Sequence, residues 1–342
     1  MGQTSAPKFS NEFLSIGVGA RALGMSNTQV SQVGDATAGY WNPAGLLDQP
    51  AKYDFSLMHA EYFAGIAKYD YMGFSTPIDS LNHIGVSVIR FGVDDIPDTR
   101  FLYDANGAIN YDNIRFFSAS DYAFLFSYAR RVNWLNGLKL GANFKLIHRI
   151  AGPFARAWGY GLDAGAQLNL KKWQFGLMVR DLTGTFNAWS HSSELLADVY
   201  TQTGNIIPEN SVEITLPKAI LGISRQFYLG KRLGLLTAVD FDMTFDGKRN
   251  VPIKSDFVSI DPHIGLELNY REIIYLRGGI GNIQKIKDFS GGTSTSFQPN
   301  FGVGMRIKMV RLDYALTDIG DQSESLYSHI FSLHVSLPGK EE

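Results

Sequence analysis

Asp240 and Asp242 flank Phe241, and in an extended chain that spacing puts both carboxylates on one face. Two carboxylates facing one space are what acid–base hydrolysis by a glycosidase or protease uses. The 7 histidines, His59, His83, His148, His191, His263, His329 and His334, are the other groups able to move a proton or hold a metal. They form no HExxH motif and no close His/Asp cluster, so no metal site is indicated. Asp94 with Asp95, and Asp318 with Asp321, are loop carboxylates that could hold calcium or simply stay solvated. The chain has no cysteine, which removes disulfide frameworks, thiolate zinc sites and cysteine nucleophiles together. No catalytic residue, metal or cofactor is assigned.

The elements that must position these groups show themselves by alternation. Trp158, Tyr160, Leu162, Ala164, Ala166, Leu168 and Leu170 share one parity, and Gly159, Gly161, Asp163, Gly165, Gln167 and Asn169 the other. Successive side chains of a strand point to opposite faces, so this is a strand with one apolar side and one polar or glycine side. Comparable runs fall near 52–63, 66–77, 82–93, 118–131, 137–149, 157–170, 173–183, 215–229, 232–245, 257–270, 273–285, 296–308, 310–318 and 326–337. Strands of this length and polarity are those of a membrane-spanning β-barrel of about fourteen strands. On a barrel wall the Asp240/Asp242 pair is explained by lumen polarity. A Lys or Arg facing lipid at mid-bilayer costs about 2–4 kcal/mol, so charges are expected on the lumen parity: Lys139, Lys145, Asp163, Asp240, Asp242, Glu267, Arg277 and Arg306.

The connections sort by parity. After even-numbered strands they are short, as at 78–81, 171–172, 230–231 and 271–272. After odd-numbered strands several are long, as at 94–117, 184–214, 246–256 and 286–295. Short periplasmic turns and longer outer loops produce this asymmetry in an up-and-down barrel. A soluble antiparallel protein with one wet face would also alternate, but has no reason to sort its loops.

Composition agrees. The 342 residues carry a formal net charge of -2, without the basic excess of a general nucleic-acid binder. No stretch is long and apolar enough for a transmembrane helix, which says nothing against strands that alternate. Gly 35, Tyr 16 and Phe 23 suit a crowded lumen and aromatic interfaces. A Sec-exported barrel needs a leader; none is visible at residues 1–7, so the numbering is expected to start near the mature end or after a trimmed leader.

Residues 1–50 differ: rich in small residues, without sustained alternation, with a turn at Asn42, Pro43, Ala44 and Gly45 and a short helix expected near 35–40. Gly17, Gly19 and Gly24 mimic a nucleotide fingerprint, but at the wrong spacing and outside any βαβ unit. The two strings FLSIGVGARALGM (from Phe13) and DATAGYWNPAGL (from Asp35) resemble the PorV/PorQ-like family, a branch of the FadL-type outer-membrane proteins. The resemblance covers the first fifth of the chain. It implies a FadL-like fourteen-stranded barrel (51–338) in the bacterial outer membrane, with residues 1–50 folded into the lumen as a plug. Its motif positions here are Gly17, Gly19, Arg21, Gly24, Asp35, Trp41, Asn42, Pro43 and Gly45, with an architectural role, and Arg21 is expected to pair with a lumen carboxylate such as Asp163 or Glu267. It further implies the type IX secretion machinery, with a translocon, secreted cargo or an attachment complex as protein partners beside outer-membrane lipid. One departure stands: the last strand closes on Leu337, where outer-membrane barrels commonly end on an aromatic residue.

The aromatics of the long loops, Phe101, Tyr103, Tyr111, Phe116 and Phe117 in the first and Phe186, Trp189 and Tyr200 in the second, suit a partner surface, a folded-in lid or a membrane-interface belt. The leading expectation is a non-enzymatic barrel that binds secretion partners through these loops. The alternative is a FadL-like transporter of hydrophobic small molecules, against which the polar lumen parity speaks mildly.

Overall fold

The computed structural model describes residues 10–104, 106–133, 135, 137–204, 206, 210–287, 292–317 and 328–339. Asp318 and Asp321 therefore lie outside the described residues. After an N-terminal stretch of short helical turns, including α1 (Ala20–Leu23) and α2 (Ala38–Trp41), the chain is almost entirely β. The strands are β1 (Tyr53–Tyr62), β2 (Ala67–Pro77), β3 (Asn82–Asp98), β4 (Arg115–Arg131), β5 (Leu138–Ala151), β6 (Ala155–Leu170), β7 (Trp173–Arg180), β8 (Thr185–His191), β9 (Ser211–Thr215), β10 (Lys218–Leu229), β11 (Leu233–Thr244), β12 (Ile253–Lys254), β13 (Ser259–Tyr270), β14 (Ile274–Lys287), β15 (Thr293–Ile307), β16 (Val310–Thr317) and β17 (Ser328–Leu337). Helix α3 (Ser193–Thr203) lies between β8 and β9.

Sequential strands pair antiparallel, and β17 pairs with β1 from Tyr53↔Leu337 to Glu61↔His329, which closes the sheet. Of the 17 strands, β8 and β9 prolong the neighbouring pair β7 and β10 on the outer side, and β12 is a two-residue addition to β13. The remaining 14 form the wall. Closure leaves no open sheet edge to face hydrocarbon. Among the described residues no helix is long and apolar enough to cross a membrane.

Alternation decides the two faces. In β1, Tyr53, Phe55 and Leu57 are exposed while Asp54, Ser56 and Met58 are buried. In β13, Ile264, Leu266, Leu268 and Tyr270 face out and Glu267 and Asn269 face in. The outward residues are mostly large and apolar, while the inward ones mix polar, charged and glycine positions with apolar ones such as Met58, Ile89, Leu125 and Ile147 that pack against the plug.

The expectation that charge stays on the lumen parity needs one correction. Lys68, Asp70, Arg90 and Asp94 lie on the outward parity of β2 and β3, beside His59 and Glu61 of β1. They are mutually paired: His59 Nδ1 to Asp70 at 2.7 Å, Arg90 to Asp70 at 3.3 Å, Lys68 to Asp94 at 3.4 Å. The patch sits close to the 63–66 turn, where the 10 and 11 residues of β1 and β2 fall short of the 17 of β3 and β4. Near a membrane interface the penalty for an outward cation falls to about 0–1 kcal/mol, so paired charges are tolerated there. The loop carboxylate Asp94 is thus committed to Lys68.

The second correction concerns 173–183, 184–214 and 215–229. The ladder opposes Arg180 to Lys218 and Thr185 to Thr215, so residues 181–184 and 216–217 lie outside it. The wall is interrupted in two adjacent strands at one height. Gly184 with φ +70 and Asp181 with φ +55 form the turn in one strand, and Pro217, lacking an N–H, stands in the other. The region 184–214, expected as a loop, holds β8, α3 and β9.

Candidate functional site

Residues 10–50 lie inside the wall and are almost wholly buried. A segment this irregular leaves many backbone groups unpaired, and the lumen side chains satisfy them. Asp240 Oδ2 accepts from the amides of Gln29 and Val30 at 2.9 and 3.1 Å. Gln167 donates to the carbonyls of Val30 and Val33, both at 3.2 Å, and Asn143 donates to that of Gly39 at 2.8 Å. Asp240 is thus held to the plug through Oδ2, while its buried Oδ1 has no partner among the described residues.

The motif residues come together around this segment. Gly17 and Gly19 have φ +104 and +89, the left-handed region that only glycine enters freely. The Gly19 amide donates to the Met58 sulfur at 3.0 Å. Trp41 Nε1 donates to the Val18 carbonyl at 2.9 Å. Asn42 works in three directions: its Oδ1 caps the following helical turn at the Ala44 amide (3.2 Å), while its amide donates to Val30 and to Ala166 of β6. Pro43 takes the first helical position, where a missing N–H costs nothing. At Gly45 a Cβ would collide with the Val33 carbonyl.

The wall answers with glycines of its own. A Cβ on Gly141 would collide with Pro43 and Ala44, on Gly165 with Asn42, on Gly176 with Val30 and on Gly279 with Met25 and Ser26. At Gly24 it would stand 2.9 Å from the Gly302 Cα. Lumen glycines thus form a girdle against which the plug backbone rests.

Charge fixes the same segment. Arg21 Nε bonds Glu267 at 2.9 Å, Glu267 bonds Arg277 at 2.6 Å, and Arg277 bonds Asp313 at 2.8 Å. Arg311 bonds Asp313 at 2.8 Å and Asp35 at 2.9 Å. An alternating chain of six charges therefore runs from one motif residue to another through three wall strands. The sequence offered Asp163 or Glu267 to Arg21; Glu267 takes it, and Asp163 lies 2.7 Å from Lys145.

Burial alone would raise the Asp35 carboxyl, but the charges of His334 and Arg311 and the Thr37 hydroxyl outweigh it and hold the group well below the usual carboxylate range. A depressed folded value contributes stability above the unfolded value, and that stability is lost only as pH falls through the folded one. Protease protection of the plug is therefore expected to be flat from about pH 7 to about pH 4 and to fail only in stronger acid. Limited proteolysis across that range checks it, and the Asp35→Asn variant should lose protection at neutral pH.

Beyond the plug on the outer side lies a cavity of about 540 Å³. Plug residues Ser10, Asn11, Glu12, Leu14, Ser15 and Ile16 form part of its lining, and so do Arg180, Asp181, Thr215, Leu216, Pro217 and Lys218, the residues at the wall interruption. The interruption thus backs directly onto the cavity, while Leu182 and Leu216 are exposed on its outer side. Lys145 seals it from within, bonding Asp181 at 2.5 Å and Asp163 at 2.7 Å. Sequence reading did not single out Arg180 or Lys218. The turn signals that could have found them are Gly184 and Pro217, which mark the break beside each.

The loop aromatics distribute differently from their expected common surface. Phe101, Tyr103 and Tyr111 are exposed in the 99–114 connection, which carries a Tyr103↔Ile109 bridge. Phe116 and Phe117 lie on β4, and Phe117 packs edge-on against Phe154 at 5.1 Å. Phe186 lies on the outer wall of β8 beside Tyr160, Trp189 lies on the same strand under Arg149, and Tyr200 is on α3. Long alternating strands ran further outward than the sequence reading allowed, which moved four of these residues out of loops.

No protein-family model and no curated protein sequence matches the chain. Solved structures do. The CymD monoaromatic hydrocarbon channel aligns over 95% of this chain and 99% of its own at 12% identity, TM-score 0.60. The Ralstonia pickettii toluene transporter TbuX aligns over 94% and 98% at 14% identity, TM-score 0.54. A Pseudomonas aeruginosa FadL homologue aligns over 94% and 98% at 11% identity, TM-score 0.52. The chain has the FadL-type fold. A closed barrel of this fold, with an apolar outer band and a filled lumen, is a protein of the bacterial outer membrane.

Proposed function

We propose that this barrel passes a small molecule from its outer mouth through the lumen cavity and past a plug that stays in place, without transforming it. The observation that carries this reading is the coincidence of cavity and wall interruption. A partly open space of about 540 Å³ lies in the range of small-molecule sites, about 300–1,000 Å³, and abuts a height at which two adjacent strands leave the ladder. The similarity to a toluene transporter and a hydrocarbon channel supports the same reading at the level of fold.

The absence of cysteine gives a clean test. Ser15 lines the cavity, so a Ser15→Cys barrel labelled with fluorescein maleimide fills it. Solute flux into proteoliposomes is expected to drop about tenfold on labelling, as steric blockage of a path through the cavity demands. Undiminished flux through a labelled, folded barrel would falsify the reading.

A second reading, a PorV/PorQ-like subunit that binds a type IX translocon or its cargo, is favoured by the N-terminal motif and by exposed Tyr103 and Tyr111 in the first long outer connection. Photo-crosslinking from those two positions in cells distinguishes it: a defined secretion subunit or cargo protein caught at both supports it, and lipid alone counts against it.

A further inference from the structure

The inward charges on four neighbouring strands beside the cavity run in an order that two of them would not adopt for stability. Arg180 of β7 stands directly opposite Lys218 of β10. Asp242 of β11 stands directly opposite Asp261 of β13. Like charges directly opposed across a ladder are destabilising, and here two such pairs stand on adjoining strands, one inward position apart along the ladder, since Lys218 opposes Thr244 and Asp242 opposes Ile220. All four residues line the cavity.

The opposite charges within reach of Arg180 and Lys218 are Asp163, Asp181, Glu12 and Asp242, and among the described residues none of them forms a direct ion pair with either cation. Asp181 and Asp163 are both held by Lys145, and Asp181 also accepts from Thr185 at 2.5 Å. The Arg180 guanidinium stacks 4.3 Å over the Tyr40 ring and donates to the carbonyls of Leu14 and Tyr40, but its buried Nε has no partner. Among the described residues Lys218 Nζ has one hydrogen-bond partner, the Ser15 hydroxyl at 3.3 Å. Among the described residues Asp242 has no hydrogen bond or ion pair, and Asp261 has a buried oxygen without a partner, its other oxygen lying 3.5 Å from His263 Nε2. On the far side, Asn300 and Thr317, at 5% and 1% exposure, each carry a buried oxygen without a partner among the described residues.

We infer that the cavity binds a small hydrophilic zwitterion of amino-acid or short-peptide size, its carboxylate at Arg180, Lys218 and Ser15 and its ammonium at Asp242 and Asp261. A hydrocarbon would leave each of these polar groups unsatisfied. An amphiphile with one anionic head would satisfy the cations but lay its tail against Asp242, Asp261, Asn300 and Thr317. A simple anion would neutralise one pair and leave the other. Only a ligand with both charges, a short distance apart, answers the whole row. This inference rests on the cavity being the small-molecule site proposed above, but not on passage.

The test is calorimetry on the intact barrel in detergent, with alanylalanine as probe against its N-acetylated, C-amidated form, acetate and toluene. Alanylalanine should bind, the blocked form and acetate at least about tenfold more weakly, since one charged hydrogen bond lost is worth about that. Lys218→Gln and Asp242→Asn, both near-isosteric, should each weaken alanylalanine about tenfold or more. Equal binding of the blocked form, or binding of toluene but not alanylalanine to the parent protein, overturns the inference whatever the variants do. A barrel that binds alanylalanine yet passes none overturns passage and keeps the ligand; one that passes toluene and ignores alanylalanine does the reverse.

Discussion

Replacing Gly141 by leucine is expected to drive the plug off the wall. The glycine lies against the backbone of Pro43 and Ala44, so a side chain there displaces main chain that Asn42 and Gly45 also fix. Overpacking a close-packed site costs about 1–3 kcal/mol when side chains can give way, and here the obstacle is backbone on both sides. The readout is double: a lower melting temperature in detergent, and protease cleavage within residues 10–50 while the wall stays resistant. Gly278 supplies the control, since nothing lies within 4 Å of its Cβ position, and Gly278→Leu should melt like the parent. Equal melting and equal protection for both variants would remove the girdle as a structural device.

The second large effect is expected at Arg277. Its side chain is 0% exposed and lies between Glu267 and Asp313, at 6% and 2%. Arg277→Met leaves two buried carboxylates facing a methionine, and losing one member of such a network costs about 3–5 kcal/mol. Denaturant unfolding of the reconstituted barrel measures it. Arg306→Met, exposed near the 308–309 turn, should stay within about 0.5 kcal/mol. Replacing Arg277, Glu267 and Asp313 together by apolar residues of similar volume should recover much of the loss, because an absent network leaves no stranded charge. If the single variant unfolds like the parent, the six-charge chain is not what holds Arg21 and Asp35 in place.

The wall was legible because its physics is local. Period-two alternation follows from strand geometry alone, and every one of the fourteen runs read from the sequence has a strand within it. Lumen glycines were legible as a crowded face but not as a contact map: nothing near Gly141 in sequence announces Pro43, about a hundred positions away. The pairing of Arg21 narrowed to two carboxylates and went to Glu267 because Lys145 already holds Asp163. Arg180 and Lys218 escaped notice for a related reason. Each looks like one more lumen charge, and only the register of two strands separated by thirty-seven residues of chain sets them opposite each other. The outward patch around Asp70 and Arg90 broke the parity rule because the rule holds at mid-bilayer, and the depth of a residue depends on how tall its hairpin is.

The filled lumen bears on assembly. Segment 10–50 is made before any wall strand, yet it bonds to the first and the last of them: Gly19 to Met58 on β1 and Ala20 to Ser332 on β17, the latter at 2.8 Å. Those two strands meet at the seam. The plug is therefore a clasp across the seam as well as a stopper: residues 19 and 20 reach both partners only when the first and last strands stand together, so ordering the segment and closing the ring are coupled.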